Sequence, residues 1–283
     1  MKEFRGRVAA LTGAGSGIGR ALAKALARRG AHLALSDIDD NGLAETVAQC
    51  QGSGVNITSS RLDVADRDAV CSWADGVVAD HRRVNLLINN AGVALGATVE
   101  SVSYEDFEWL MNIDFWGVVY GTKAFLPYLK QSGEGHIVNL SSVFGLISVP
   151  AQSAYNAAKF AVRGFSDSLR MELEIEGANV SVTTIHPGGI KTNIARNARI
   201  HASVRDVAGN PERSVSDFER AFITSPEKAA AQILTAVQRD RRRALIGPDA
   251  KAIDFISRLP ATVYQSVLTR GATRLRRQPD REP

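Results

Sequence analysis

Apolar residues fall into two alternating rhythms along this chain. Short runs rich in β-branched and aliphatic residues give way to longer stretches in which apolar positions recur every third or fourth residue. The runs RVAALT (7–12), AHLALS (31–36), VNITSSRL (55–62), VNLLIN (84–89), GHIVNLS (135–141), NVSVTTIH (179–186) and RALIG (243–247) predict strands. Helical spacing predicts helices at 17–29, 41–50, 66–80, 104–130, 153–176 and 226–239. The alternation predicts an α/β fold, a doubly wound parallel sheet of about seven strands with helices on both faces, in a single domain over 1–247. Ser225, Pro226 and Glu227 give the last helix a cap, a first-turn proline and an acid at its positive end. The segment 187–225 breaks the rhythm, and a connection of that length inside a compact domain predicts a substrate lid over about 188–225. Further on, Ile253, Ile256, Val263 and Val267 keep helical spacing interrupted by Pro260, so 248–283 is expected to form a helical, basic extension.

A chain of 283 residues, 45% hydrophobic and 23% charged, can bury a large core. Its net charge of +4 is uneven: residues 239–283 carry eleven Arg and Lys against five Asp and Glu, while the body carries 23 basic and 25 acidic residues. The basicity belongs to the tail and argues against a nucleic-acid groove. Such a tail can touch a membrane surface or a partner, or pack on its own domain or a neighbouring subunit. No run approaches the roughly 18 apolar residues of a membrane span. The N-terminal MKEFRGRVAALTG has too short an apolar stretch for a signal peptide, so a cytoplasmic location is expected. Cys50 and Cys71 stand outside CxxC or zinc spacing and no HExxH occurs, so no metal is expected.

Candidate chemistry gathers where strands end. TGAGSGIGR (12–20) follows the first predicted strand and opens a predicted helix, where glycines and unpaired helix N–H donors can cradle a pyrophosphate. The spacing is G-x-x-x-G-x-G rather than G-x-G-x-x-G, and by itself a tight turn explains it as well. Asp37 ends the second predicted strand 18 residues after Gly19, where a carboxylate accepts from ribose hydroxyls and repels a 2′-phosphate. That favours NAD over NADP. A helix-capping role for Asp37 stays open, with Asp39 and Asp40 as competitors for either task. Asp63 follows the third strand and NNAG (89–92) the fourth, so polar or glycine-rich exits line one edge, where open α/β sheets bind ligands.

SAYNAAK (153–159) sets Tyr155 and Lys159 four apart on a predicted helix, so both can point into one cleft. A free tyrosine, with a pKa of about 10, is a poor base at neutral pH. A neighbouring ammonium lowers it, which predicts a phenol tuned toward the working pH as a general acid/base. An unrelated tyrosine and lysine on a surface helix would have the same spacing.

Together these ordered motifs resemble the short-chain dehydrogenase/reductase (SDR) family, from Arg7 to about Gly247: TGAGSGIG, Asp37, DV (63–64), NNAG, SS (141–142), YNAAK and PGGIKT (187–192). The resemblance implies a Rossmann-type fold and a nicotinamide cofactor. It assigns the phosphates to Gly13, Ser16, Gly17, Ile18 and Gly19, the adenosine ribose to Asp37, and the adenine to Asp63 and Val64. Asn90, Ala91 and Gly92 would line the middle of the site, and Pro187, Gly188, Ile190 and Thr192 the nicotinamide end. Lys159 would bond the nicotinamide ribose, Tyr155 would move the proton, and Ser142 would orient the substrate oxygen, with Ser141 as its rival. A homotetramer or homodimer is likewise implied.

One position departs from the family. Its usual asparagine, three residues before a glycine on the long helix, is Asp114 here. Asn112 lies about 200° around a regular helix and cannot take its place without a register shift. Asp114 is carried as a catalytic candidate, against a purely structural role. The expected function is reversible, NAD-dependent hydride transfer between nicotinamide and a small-molecule secondary alcohol or ketone. A nucleotide-binding regulatory protein without turnover and an NADP-linked ketoreductase are the alternatives. Phe144, Leu146, Ile147 and Val149 suit an apolar pocket or plain core packing. Arg196, Arg199, Arg205, Arg213 and Arg220 leave open an acidic ligand or a charged outer face of the lid.

Overall fold

A computed structural model describes residues 1–208 and 222–276. Arg213 and Arg220 lie outside the described residues, as does part of the expected lid. Each predicted apolar run forms a strand. In chain order the strands are β1 (Val8–Thr12), β2 (His32–Asp37), β3 (Ile57–Arg61), β4 (Leu86–Asn89), β5 (Leu95–Gly96), β6 (Gly135–Leu140), β7 (Val180–Pro187), β8 (Arg199–Ile200) and β9 (Arg243–Ile246). Seven of them make one sheet in the order β3-β2-β1-β4-β6-β7-β9, with every pairing parallel. β1, β4 and β6 are buried along their whole length, as parallel strands covered on both faces must be, whereas β3 at the edge is largely exposed. The order reverses between β1 and β4, and strands diverging there open a crevice at their carboxyl ends.

Ten helices are described: α1 (Gly17–Arg28), α2 (Asp40–Cys50), α3 (Arg67–His81), α4 (Tyr104–Met111), α5 (Gly117–Gln131), α6 (Ser153–Glu176), α7 (Val204–Ala208), α8 (Pro226–Gln238), α9 (Pro248–Ser257) and α10 (Ala261–Arg276). Leu22 and Leu26 of α1 meet Ile233, Leu234 and Val237 of α8 over one sheet face. Trp73 and Val77 of α3, Phe125 and Leu129 of α5, and Leu169 and Leu173 of α6 cover the other. Trp73 meets Phe125 edge-on at 5.1 Å between ring centres. Each such fully buried side chain stabilises the fold by about 1.5–3 kcal/mol relative to exposure. Side-chain caps fix the helix starts: Asp39 for α2, Asp66 for α3, Ser103 for α4 and Ser225 for α8.

The helix predicted over 104–130 is not continuous. A π-helical turn, Asn112–Trp116, separates α4 from α5 and inserts the register shift that a regular helix would not permit. Its effect is selective: Asp114 is fully buried while Asn112 stays exposed. A second departure is the small parallel pairing of β5 with β8, which ties residues 199–200 to the chain leaving β4. Past β9 the chain forms α9 and then α10, with Ile256, Val263 and Val267 exposed. Among the described residues no helix is long and apolar enough to cross a membrane.

Candidate active site

The crevice is built from strand exits. Thr12, the last residue of β1, accepts the N–H groups of Asn90 (3.0 Å) and Ala91 (3.1 Å) on its hydroxyl. The Asn90 amide donates back to the carbonyls of Thr12 (2.9 Å) and Gly13 (3.0 Å). Residues 12, 13, 90 and 91 are thus tied into one floor, with Thr12, the first residue of the glycine motif, as its hub. Gly19 sits against the Gly13 carbonyl with no room for a side chain, and Gly17 has φ +52° beside the Thr192 methyl group. Ser16 is exposed, and among the described residues no side chain caps α1, so its first-turn N–H groups face the crevice mouth unspent. Ile18 packs against the core below. Arg20 locks the turn from outside, donating to the Gly15 carbonyl (2.5 Å) and to Thr46 (3.0 Å) and pairing with Glu45 (2.8 Å).

Asp37 closes β2 beside that turn and accepts the N–H groups of Gly15 (2.7 Å) and Asp39 (3.0 Å). Its rivals are otherwise engaged: Asp39 caps α2, and Asp40 pairs with Arg61 at 3.5 Å. β3 ends at Arg61, so Asp63 lies beyond the strand, exposed and accepting from Ala65 N–H (2.9 Å). Val64 is buried against Gly117 of α5. At the far side Pro187 ends β7, Gly188 donates to the Ile246 carbonyl (2.9 Å), Ile190 is buried, and Thr192 reaches back to Gly17.

Between these walls lie four polar side chains from three elements. Lys159 Nζ is 3.0 Å from Asp114 Oδ2, donates to the Leu140 carbonyl (3.3 Å), and stands 5.4 Å from the centre of the Tyr155 ring. Asp114 Oδ1 accepts the Val93 N–H at 2.8 Å. A side chain at Gly92 would lie 3.3 Å from Asp114 and 3.5 Å from Lys159, which places that glycine at their mouth. The two serines divide cleanly. Ser141 donates to the Lys159 carbonyl (2.8 Å) and so braces α6, whereas Ser142 accepts from Phe144 N–H (3.1 Å) and lies close enough to Tyr155 to favour its ionised form.

Charge in this cluster differs from the sequence expectation. Tyr155 is not lowered: enclosure of its hydroxyl raises its pKa above the ordinary value, and although Lys159 and Ser142 pull it down, Asp114 pushes the same way as burial. The sequence brings Asp114 to the site as a catalytic candidate, but the expectation for the phenol weighs only the cation four residues on. Burial also raises the Asp114 carboxyl, opposed by Lys159 and the Val93 N–H. Burial works against the Lys159 ammonium, yet Asp114 and Tyr155 outweigh it and hold its pKa above the ordinary value. The Asp114 carboxylate therefore favours the charged form of Lys159 despite its burial.

His186 carried no legible signal, and Arg199, one of the arginines noted after Thr192, takes a defined place. His186 of β7 is buried and neutral, its pKa down to about 4 through burial, and its Nδ1 bonds the Ser142 carbonyl at 2.8 Å. Arg199 of β8 lies 3.6 Å above the Trp109 ring and 2.6 Å from Asp106, so its charge ties β8 to α4.

The family described as short chain dehydrogenase matches residues 7–202. A protein of Mycobacterium tuberculosis (strain ATCC 25618 / H37Rv) named as an oxidoreductase, SadH, is 49% identical over 276 residues, covering 97% of this chain and 98% of its own. Among solved structures, a short chain dehydrogenase/reductase from Burkholderia phymatum in complex with NAD is 31% identical with a TM-score of 0.85, over 94% of this chain and 97% of its own. A short chain dehydrogenase from Mycobacterium paratuberculosis bound to NAD is 26% identical with a TM-score of 0.74, over 86% of this chain and 96% of its own. On fold, site and sequence alike, the chain belongs to the short-chain dehydrogenase/reductase family of oxidoreductases.

Proposed function

We propose that this protein is an NAD-dependent oxidoreductase that interconverts a secondary alcohol and its ketone. The observation carrying the reading is the convergence of Ser142, Tyr155 and Lys159, reached from β6 and α6, with Lys159 facing Gly92 on the exit of β4 that also packs on the start of the glycine turn. The residues fit a dinucleotide. The uncapped start of α1 offers N–H donors to a pyrophosphate, the glycines at 13 and 19 let that start pack tightly on residues 90–91 and the end of β1, and Asp37 presents a carboxylate to a ribose. That carboxylate favours NAD, the ligand of two similar solved structures, over NADP. Asp63 and Val64 would border the adenine, Asn90 to Gly92 the middle, and Pro187 to Thr192 the nicotinamide end.

When bound, NAD supplies the hydride acceptor. In alcohol oxidation the substrate carbon loses a hydride, and the Tyr155 phenolate, the minor form that Lys159 and Ser142 favour against burial and Asp114, takes the hydroxyl proton, leaving the ketone. Ser142 orients the substrate oxygen, and His186 holds the Ser142 backbone. Lys159 stabilises the tyrosinate and is positioned to hold the nicotinamide ribose. Asp114 keeps Lys159 in place. In the reverse direction Tyr155 returns the proton. Residues 1–247 would form the catalytic domain, with the lid over about 188–225 and 248–283 as an extension, and a homodimer or homotetramer would bury the exposed Met171 and Ile175 of α6.

The test is a pair of fluorescence titrations with NADH and NADPH, followed by absorbance assays of a secondary-alcohol panel with NAD. NADH should bind more tightly, and Tyr155→Phe should lose about 10²–10⁴-fold in turnover with binding retained. NADPH preference would sink the cofactor assignment. Binding without turnover on a broad panel would favour a regulatory role.

A further inference from the structure

The C-terminal extension reaches the site through one side chain. Asp249, in the first turn of α9, accepts the Gly189 N–H on Oδ2 at 2.5 Å, across 60 residues of sequence. Its carboxylate fills the space where Gly188 would carry a side chain. Oδ1 is buried beside Gly247 and has no hydrogen-bond partner among the described residues. A carboxylate there is favoured by the positive end of α9. The helix is itself pinned, since Asp254 pairs with Arg243 (3.2 Å) and Arg258 (2.9 Å).

What Asp249 grips is the root of the lid. Gly189 accepts from Thr224 N–H (3.4 Å), Lys191 donates to the Thr224 carbonyl (2.9 Å), and Ile190 bridges Thr224, so the outgoing and returning ends of the lid are stitched together above this carboxylate. Thr192, three residues beyond Gly189, lies against Gly17 of the glycine turn.

We propose that Asp249 is a positioning residue for the nicotinamide-side loop: through Gly189 it fixes segment 188–192 and the lid root, making the C-terminal extension part of the cofactor site. The proposal rests on the NAD reading above. Loss of this bond frees the loop, so nucleotide affinity falls and the Michaelis constant for NAD rises, with a smaller change in turnover.

The experiment compares Asp249→Ala, Asp249→Asn and Gly188→Ala with wild type. It measures NADH dissociation constants by fluorescence, steady-state constants with varied NAD, and melting without nucleotide. Asp249→Ala should weaken NADH about tenfold, the expected scale for losing a charge-assisted hydrogen bond. Asn keeps an acceptor oxygen for Gly189 N–H and should restore most of the affinity. Gly188→Ala displaces an intact carboxylate and should imitate Asp249→Ala. NADH affinity unchanged in Asp249→Ala while wild type binds would overturn the proposal and leave the NAD reading standing. Equal losses in the Ala and Asn variants, tracking their melting temperatures, would also overturn it by reducing Asp249 to a structural acid. If Asp249→Ala does not fold, the Asn and Gly188→Ala pair decides by the same criterion. Wild type failing to bind NADH would remove both.

Discussion

Removing the ammonium from the Lys159–Asp114 pair should hurt the fold more than removing both charges. The pair is dry: Asp114 is 0% and Lys159 5% exposed, at 3.0 Å separation. Lys159→Met keeps the apolar stem but leaves the carboxylate with the Val93 N–H as its remaining hydrogen bond. Orphaning one member of a buried pair costs about 3–5 kcal/mol. At roughly 2 °C per kcal/mol for a chain of this size, melting should fall by about 6–10 °C at neutral pH. Adding Asp114→Asn should recover most of that loss, because an amide keeps the acceptor for Val93 without a charge to strand. The sign with pH is fixed as well. Asp114 already has a raised pKa, and losing the cation raises it further, so the folded single variant binds more protons than the unfolded chain. Its deficit should shrink as pH falls through the raised pKa. The assay is calorimetric melting without nucleotide across pH 5 to 8, on wild type, both single variants and the double variant. If Asp114→Asn destabilises the Lys159→Met protein as much as it does wild type, the two side chains are not coupled and the charge argument fails.

Four other outcomes follow from the geometry. Asp114→Asn removes the anion that opposes Lys159, so the limb of kcat/KM for alcohol oxidation governed by Tyr155 ionisation should move to lower pH; a limb that stays put in pH-rate profiles would exclude Asp114 from tuning. Gly19→Ala drives a methyl group into the Gly13 carbonyl and should cost about 1–3 kcal/mol in urea unfolding while weakening NADH, so wild-type values for both would contradict the close approach. Asp37→Arg should turn NADH preference into NADPH preference in paired titrations, since the carboxylate beside Gly15 is what disfavours a phosphate. Arg199→Ala loses an exposed ion pair and a ring contact together worth about 0.5–2 kcal/mol, so melting should change little while the lid is cleaved faster by protease; equal cleavage rates would count against the latch.

Much of this architecture is readable without coordinates because parallel strands buried on both faces must be continuous apolar runs, and those runs stand between amphipathic helices. Local pairs are readable for the same reason: Tyr155 and Lys159 share a helix face, and Ser225 caps the helix that follows it. What escapes the sequence is non-local. Arg20 meets Thr46, His186 meets Ser142, Arg199 meets Trp109, and Asp249 meets Gly189, each across a span no periodicity records. The π turn escapes too, since its sequence NIDFW keeps an ordinary helical pattern and only the competition to bury Asp114 against Lys159 and Val93 exposes the extra residue.

That turn explains why the error over Tyr155 is instructive rather than incidental. A base strength inferred from Lys159 alone treats the cation as free to act on the phenol. In the folded chain the cation lies 3.0 Å from Asp114 Oδ2 and 5.4 Å from the centre of the Tyr155 ring, and the field each group feels includes the third. Lys159 thus serves Tyr155 only as far as Asp114 lets it, and Asp114 is held by the Val93 amide on the loop leaving β4. The acid strength of the phenol therefore depends on the fit of α4, the π turn and residues 90–93 against α6. On the proposed reaction, a substrate or cofactor that shifts that loop would change the acidity of the Tyr155 phenol without touching it.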